Sequence, residues 1–204
     1  MGMWRNAVLL RFALVAAVAT VVLMLAWTKV SPWLSYPVAM LTEQVLVRTA
    51  PRWTGEVRKR VGRIEVDFAF IVTRPGVGGP PSRPTFKANP GRYAYGLPIF
   101  CALLLAGWVT HRARGRWWRA VVGYLILVPV QTFSLVMLFL IGMARVAQFD
   151  TRLLAVSSWQ LDLLAYGFQL GVLVLPTLAP MLVWLLLDRQ FFNDVIIAGW
   201  KRGR

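Results

Sequence analysis

The chain has 204 residues, of which 58% are hydrophobic and only 15% are charged, and its mean hydropathy is +0.60. Since a soluble domain usually carries about a quarter charged residues, this composition argues against a soluble globular protein and against a disordered chain. The single Cys and single His exclude a disulfide framework and a Cys-based or His-rich metal site. The net charge of +15 is typical of contact with nucleic acid or anionic lipid. Because the charges fall between apolar runs, they favour a membrane over nucleic acid.

Four stretches of the chain contain no charged residue and are long enough to cross a membrane. A membrane helix needs about 20 predominantly apolar residues, within a range of roughly 17–25. The sequence therefore predicts an all-α integral membrane protein with four transmembrane helices and a small α+β extracytoplasmic loop region. The four predicted spans are 12–28, 93–110, 120–144 and 163–187.

Basic residues in the short loops predict the orientation of these spans. The segment 111–119 contains four arginines and no acid, which predicts a cytoplasmic loop, whereas 145–162 carries two Arg and two Asp and is predicted to lie outside. The loop 29–92 is also placed outside, because loops beyond about 60 residues translocate largely regardless of charge. The four arginines are candidates for contact with lipid or a partner, and they are Arg112, Arg114, Arg116 and Arg119.

This orientation places both termini in the cytoplasm and divides the chain into eight segments. They are a cytoplasmic N-terminus with the first span at 1–28, the extracytoplasmic loop domain at 29–92, the second span at 93–110, a basic cytoplasmic loop at 111–119, the third span at 120–144, a short extracytoplasmic loop at 145–162, the fourth span at 163–187 and a basic cytoplasmic tail at 188–204.

The long outer loop predicts a short helix followed by a β-hairpin. Apolar residues recur at helical spacing after Pro37 until Pro51. Polar and apolar residues then alternate in Arg63–Phe70, and Thr85–Ala88 is predicted to return as the second strand. Since an isolated hairpin is marginally stable, it must pack on the helix, the membrane surface or a partner. The basic residues just before and at the hairpin form either a solvated face or a contact for anionic lipid or an acidic partner; they are Arg58, Lys59, Arg60 and Arg63.

Cysteine and histidine give little support for catalysis. Cys101 lies within the second predicted span and His111 follows ten residues later, about 15 Å along a helix. A catalytic thiolate needs a nearby base or positive field, which His111 cannot supply within that helix. No charged residue lies in the middle of a span, which disfavours a proton-coupled transporter. We predict no catalytic residue, no cofactor, no metal and no small-molecule substrate.

Prolines mark the last two predicted spans. Pro129 is followed by Gln131, and Pro176 is followed by Thr177 and Pro180. A proline inside a span frees backbone carbonyls, which neighbouring side chains must satisfy. We expect these residues to hold the third and fourth spans in an antiparallel pair with Gln131 facing the fourth span, although they could instead line a substrate path.

Short motifs resemble those of a known family. The order of several short strings resembles that in the small exosortase H-associated membrane proteins of Gram-negative bacteria. The strings are Asn89-Pro90, 93–100, 102–106, 128–131 and 175–180. The resemblance covers residues 89–192. It implies an inner-membrane companion of an exosortase, a class of enzyme thought to process proteins that carry a C-terminal sorting signal.

The resemblance and the composition together favour a non-enzymatic accessory or assembly protein. Its expected partners are membrane lipids and a larger membrane protein, with an exosortase suspected. The alternative is a small transporter or channel subunit that acts as an oligomer. An intramembrane enzyme is the third possibility, and it would depend on Cys101 or His111.

Overall fold

A computed structural model describes residues 2–71, 83–111, 116–148 and 157–189. The chain forms two compact units, each assembled from separate segments. The first unit contains Met1–Val30, Tyr95–Leu127 and Thr177–Arg204, and the second contains Ser31–Ala94 and Val128–Pro176.

Three helical stretches in the described residues are long and apolar enough to cross a membrane: Ala7–Leu34, Trp117–Val146 and Ser158–Leu187. Gly96–Thr110 is apolar but shorter. Three of the four predicted spans are therefore matched by helices of sufficient length, and the second is not. The helices are α1 (Gly2–Leu34), α2 (Tyr36–Thr49), α3 (Pro90–Tyr93), α4 (Gly96–His111), α5 (Arg116–Gln148), α6 (Ser158–Gln169) and α7 (Leu175–Leu187), with a π-helical turn at Leu170–Val174 between α6 and α7.

The second predicted span differs from the structure because its helix starts late. Residues 93–110 were expected to form one span, but Tyr93 ends α3 and α4 begins at Gly96. Pro98 then lies in the first turn of α4, where a missing backbone N–H costs no helical hydrogen bond. At a rise of 1.5 Å per residue, the 16 residues of α4 extend about 24 Å, which is less than a hydrocarbon core of about 30 Å.

The other three helices extend beyond the uncharged runs that predicted them. Helix α1 includes Arg11 and Lys29, and α6 includes Asp162. The start of α6 is set by a capping box, in which the Ser157 backbone N–H donates to Gln160 Oε1 at 3.1 Å. Charged residues at the ends of an uncharged run are therefore a poor guide to where the helix begins or stops.

The segment between α1 and α3 contains the predicted short helix, but its sheet differs from the predicted hairpin. Helix α2 has Pro37 in its first turn and ends before Pro51. The sheet has three antiparallel strands in the order β1 (Thr54–Arg60), β2 (Arg63–Phe68) and β3 (Thr85–Ala88). The predicted hairpin accounts for β2 and β3 only.

Strand β1 escaped prediction because its sequence lacks the apolar alternation of β2. In β2, Ile64, Val66 and Phe68 are buried, as the period of two requires. In β1 only Thr54 is buried, and the pairing is irregular between Thr54 and Val57. A bulge of this kind breaks the alternation on which a strand prediction depends.

The sheet packs on helices of its own unit. Leu46 of α2 is fully buried together with the inner residues of β2. Phe86 of β3 meets Phe139 of α5 edge to face, with ring centroids 5.5 Å apart, and a Cβ built at Gly142 would lie 3.0 Å from the Phe86 ring. The sheet is therefore supported by helices, which is one of the three kinds of support expected for the hairpin.

Candidate functional site

The π-helical turn between α6 and α7 follows from the position of Pro176. In this turn the Leu175 backbone N–H donates to the Leu170 carbonyl, five residues earlier. The next bond of that pattern would join residue 176 to the Gly171 carbonyl, and it cannot form because proline has no N–H. The Ser134 hydroxyl of α5 donates to this Gly171 carbonyl instead. A hydroxyl from the facing helix thus replaces the backbone donor that Pro176 lacks.

Two glycines let α5 approach this segment closely. A Cβ built at Gly171 would lie 3.1 Å from Ser134 Cα, and one built at Gly167 would lie 2.8 Å from Met137 Sδ. The contacts run in opposite directions along the two segments, since 134 faces 171 and 137 faces 167. This geometry confirms that the third and fourth predicted spans pack antiparallel.

Gln131 lies one turn from Ser134 on α5 and is buried. Its side chain is 4% exposed, and its Nε2 atom has no hydrogen-bond partner among the residues that the structure describes. The prediction that Gln131 avoids lipid is thus supported by its burial. A buried amide donor without a partner costs about 1–3 kcal/mol, so this position is either a strained structural element or a place where a ligand or partner bonds.

The proline-motif residues fall in different units. Pro129, Gln131 and Pro176 belong to the second unit, whereas Thr177 and Pro180 belong to the first, where both lie within α7. The sequence analysis selected Gln131 and Thr177 as the polar residues beside the prolines, and it did not identify Ser134. The signal was the spacing of five residues between Gly171 and Pro176, which matters only once the π turn is known.

A second polar feature lies in the first unit, where an ion pair joins α5 to the residue that directly follows α7. Arg119 Nη1 donates to Asp188 Oδ1 at 2.8 Å, and the two side chains are 19% and 4% exposed. A Cβ built at Gly107 of α4 would lie 3.0 Å from Asp188 Oδ2. Trp184, one turn before Asp188, stacks on Phe12 of α1 with ring centroids 5.4 Å apart. Arg119 of α5 and Gly107 of α4 therefore approach one buried carboxylate, and α1 packs one turn away, on Trp184.

Of the basic candidates near 111–119, Arg119 is the one whose side-chain geometry is described. It is a structural ion-pair partner as well as a candidate surface contact. Arg116 is the first residue of α5, and Arg112 and Arg114 lie outside the described residues. In the sequence, residue 188 is only the first position after the fourth predicted span, and the pairing of Asp188 with Arg119, 69 residues away, has no local signal.

The basic residues of the sheet make ion pairs with acids of the same unit. Arg58 Nη2 donates to both carboxylate oxygens of Asp67, at 2.8 and 2.7 Å, and the Thr85 hydroxyl donates to Asp67 at 2.6 Å. The Thr85 hydroxyl, and then Arg58, lower the pKa of Asp67 below its ordinary value. The hydrogen bond to Asp67 also raises the pKa of Arg58. This network ties together all three strands of the sheet.

The remaining basic candidates differ in how strongly they are paired. Lys59 forms an ion pair with Glu43 of α2, which links β1 to that helix. Arg63 lies 3.6 Å from Glu65 and is largely exposed. Arg60 is exposed at the end of β1, opposite Arg63 in the strand register. Arg60 and Arg63 are thus the more available of the four for an external contact.

A largely apolar groove of about 500 Å³ opens on the second unit. It lies between the end of α2 with the turn that follows, the C-terminal third of α5 and the start of α6, and its wall includes the exposed side chains of Trp159 and Leu163. In the described residues, no group of three or more His, Cys, Asp or Glu is arranged to hold a metal ion. Cys101 is a free, half-buried thiol on α4.

Comparison with known proteins gives one match, to a family model. The model described as exosortase H-associated membrane protein matches residues 6–191, which is most of the chain. No curated protein and no solved structure matches. The match extends well beyond the segment 89–192 that carries the short motifs, and it takes in α1, α2 and the sheet as well.

Proposed function

The chain belongs to the exosortase H-associated membrane proteins, and we propose that it is a non-enzymatic accessory subunit of an exosortase-type sorting system in the inner membrane of a Gram-negative bacterium. The observation that carries this proposal is the family match over residues 6–191, which spans the apolar helices and the sheet alike. An accessory protein of this kind holds or modulates a larger membrane protein and needs no reaction centre of its own.

The architecture supports a role in association. The chain combines membrane-length helices with a folded α2–sheet segment, so it offers contacts both within the bilayer and outside it. Large apolar side chains are exposed along α1, α6 and α7, including Leu25, Leu163 and Leu182. Such faces are suited to lipid or to the helices of a membrane partner.

We also propose that α4 is a fourth, short span, which places both termini in the cytoplasm. Its buried face packs within the first unit, where Phe100 meets Gly123 of α5 and Gly107 meets Asp188. A span of about 24 Å is tolerated by local thinning of the bilayer. Reporter fusions after Arg116 and Arg204 should report cytoplasm, and fusions near Gly79 and Ser157 should report the outside. With only three spans, one end would change side, so a reporter at each terminus decides the number.

Association is tested by purification and crosslinking. The tagged chain should co-purify with the exosortase encoded in the same cells after mild detergent extraction. A photoreactive residue at Leu25, Leu163 or Leu182 should crosslink to it from at least one position, whereas one at the fully buried Phe139 should not. Absence of both co-purification and crosslinks at all three exposed positions would contradict the accessory role.

The non-enzymatic part of the proposal has its own test. Cys101→Ala should leave both the association and the sorting of a reporter protein unchanged, because this proposal gives the free, half-buried thiol on α4 a packing role only. Loss of sorting at normal protein level and with normal association would assign Cys101 a chemical role and overturn this part alone.

One observation favours the second candidate, a transporter or channel subunit. Gln131 presents a buried amide nitrogen without a partner in the described residues, in the apolar interior of the second unit. A polar group in this position is suited to a passing polar solute as well as to helix packing. The two roles separate on Gln131→Leu, as developed in the Discussion.

A further inference from the structure

A basic pocket of about 310 Å³ lies at one edge of the sheet, outside the groove and the helix pair described above. Its lining comes from the β1–β2 turn, the start of β2, the end of β3 and the start of α3. The lining residues are Gly62, Arg63, Lys87, Ala88, Asn89 and Arg92. Strands β2 and β3 bring Arg63 and Lys87 to the same pocket because they pair antiparallel, with Glu65 opposite Lys87.

The pocket has excess positive charge. Arg63, Lys87 and Arg92 line it, and Glu65 is the acid close to them. One oxygen of Glu65 lies 3.6 Å from Arg63 and 3.6 Å from Lys87, which is beyond hydrogen-bond distance for both. Both basic side chains are more than half exposed, so a single carboxylate partly offsets three cations that converge on one cavity.

The backbone at the pocket is shaped for a close contact with the end of α1. Gly62 adopts φ +77°, a conformation that favours glycine, and it closes the turn from β1 into β2. A Cβ built on it would lie 3.2 Å from the Pro32 side chain. On the other side, a Cβ at Gly91 of α3 would lie 2.8 Å from Ser31. The walls of the pocket are therefore packed on the last turn of α1.

This contact places the pocket beside the last residues of a candidate membrane span. Pro32 lies two residues before Leu34, and Leu34 ends the candidate span Ala7–Leu34. Residues at the end of a span lie where the hydrocarbon gives way to lipid head groups. Arg92 is also four residues before α4, which begins at Gly96. The apolar helix Gly96–Thr110 thus follows the pocket residues closely in the sequence.

From the cations, the cavity and its level, we infer that this pocket binds a phosphate group, supplied by the head group of an anionic phospholipid. Arg63 and Arg92 offer planar guanidinium forks for phosphate oxygens, and Lys87 adds a point charge. The cavity of about 310 Å³ has room for a phosphate group. The site would anchor the sheet to the bilayer surface, and it goes beyond the proposed accessory role without depending on it.

The test uses the full chain, purified in a neutral detergent, and native mass spectrometry with short-chain phosphatidylglycerol or phosphatidylcholine. Lys87→Gln/Arg92→Gln should weaken phosphatidylglycerol binding by roughly 25-fold, because each basic residue at an anionic surface contributes about a fivefold factor. The control Arg48→Gln/Arg145→Gln removes two exposed arginines that do not line the pocket, and it should change binding less than twofold.

A third variant excludes loss of folding as the explanation. Glu65→Gln removes the acid beside the cations and should tighten phosphatidylglycerol binding several-fold, which a damaged sheet cannot do. Equal weakening in both double variants, or no tightening by Glu65→Gln, would overturn the inference. Competition separates the sources of phosphate. Inorganic phosphate should displace the lipid only at millimolar concentration or above; displacement at micromolar concentration would retain phosphate recognition but contradict the lipid as its source.

Discussion

The buried ion pair between Arg119 and Asp188 permits a quantitative prediction of stability. At 2.8 Å and an effective dielectric of about 20, the attraction is about 6 kcal/mol before the cost of removing both charges from water. That cost is several kcal/mol per ion, so the intact pair contributes little net stability. Removing one partner is different, because the other charge remains buried without compensation, at a cost of about 3–5 kcal/mol.

The unequal exposure of the two side chains predicts an order of effects. Arg119→Met leaves Asp188, which is 4% exposed, and should cost about 3–5 kcal/mol of unfolding free energy. Asp188→Asn should cost less, about 1–3 kcal/mol, because Arg119 is 19% exposed and the amide oxygen still accepts its hydrogen bond. Asparagine also respects the tight contact with Gly107, which a larger residue would not. The double variant should be more stable than Arg119→Met alone.

Equilibrium unfolding in mixed micelles of dodecyl maltoside and sodium dodecyl sulfate measures these values. Tryptophan fluorescence is a suitable signal, since Trp184 lies one turn from Asp188 and stacks on Phe12. Arg145→Met and Asp162→Asn are matched controls at exposed positions and should each cost about 1 kcal/mol or less. If Arg119→Met costs no more than its control, or if the double variant equals the sum of the singles, the reasoning fails.

Three further predictions concern packing, pH and the π turn. In Gly123→Ala the added methyl group would overlap the ring of the fully buried Phe100, so the variant should be less stable by about 1–3 kcal/mol. Adding Phe100→Leu should relieve most of this loss, and a thermal melt of the single and double variants would show it. The pKa of Asp67 is lowered in the folded chain, so its stabilising contribution is present above the ordinary Asp value of about 3.9 and is lost as the pH falls through the lower folded value. Asp67→Asn should therefore flatten the pH dependence of the unfolding free energy below about pH 4. Ser134→Ala should lower the unfolding free energy by about 1–3 kcal/mol, because the Gly171 carbonyl loses its interhelical donor. Thr132→Ala should lower it clearly less, because the Thr132 hydroxyl bonds only within α5. Equal losses would contradict the role of Ser134 as the donor to Gly171.

The positions of the long helices were predictable because hydrophobicity is a property of the sequence alone. Uncharged runs located three spans that the structure matches with helices of sufficient length. Their ends were less predictable, since a helix continues past a charged residue whenever the side chain reaches water or head groups. Arg11 and Lys29 within α1 illustrate this, as does Asp162 within α6.

Features that depend on the pairing of distant segments could not be predicted in this way. Strand β1 carries mostly charged residues and acquires its structure from β2, to which it is hydrogen bonded. Asp188 and Arg119 are 69 residues apart, and nothing local to either indicates the other. The sequence does not distinguish Ser134 from other helical serines, because its role depends on Gly171 lying opposite it in the fold.

Gln131 is where the sequence and the structure together lead to a decisive experiment. The sequence identified it as a polar residue beside Pro129, and the structure adds that its amide nitrogen is buried without a partner in the described residues. If this burial is purely structural, Gln131→Leu should raise the unfolding free energy by about 1 kcal/mol or more, because an unsatisfied donor is replaced by an apolar group of similar volume. Association with the exosortase should then be unchanged. If Gln131 instead bonds a solute or a partner helix, the same variant should be equally or more stable but lose transport or association. If Gln131→Leu is instead less stable by about 1 kcal/mol, both the structural and the binding interpretation are wrong, because the amide nitrogen of Gln131 must then already have a hydrogen-bond partner.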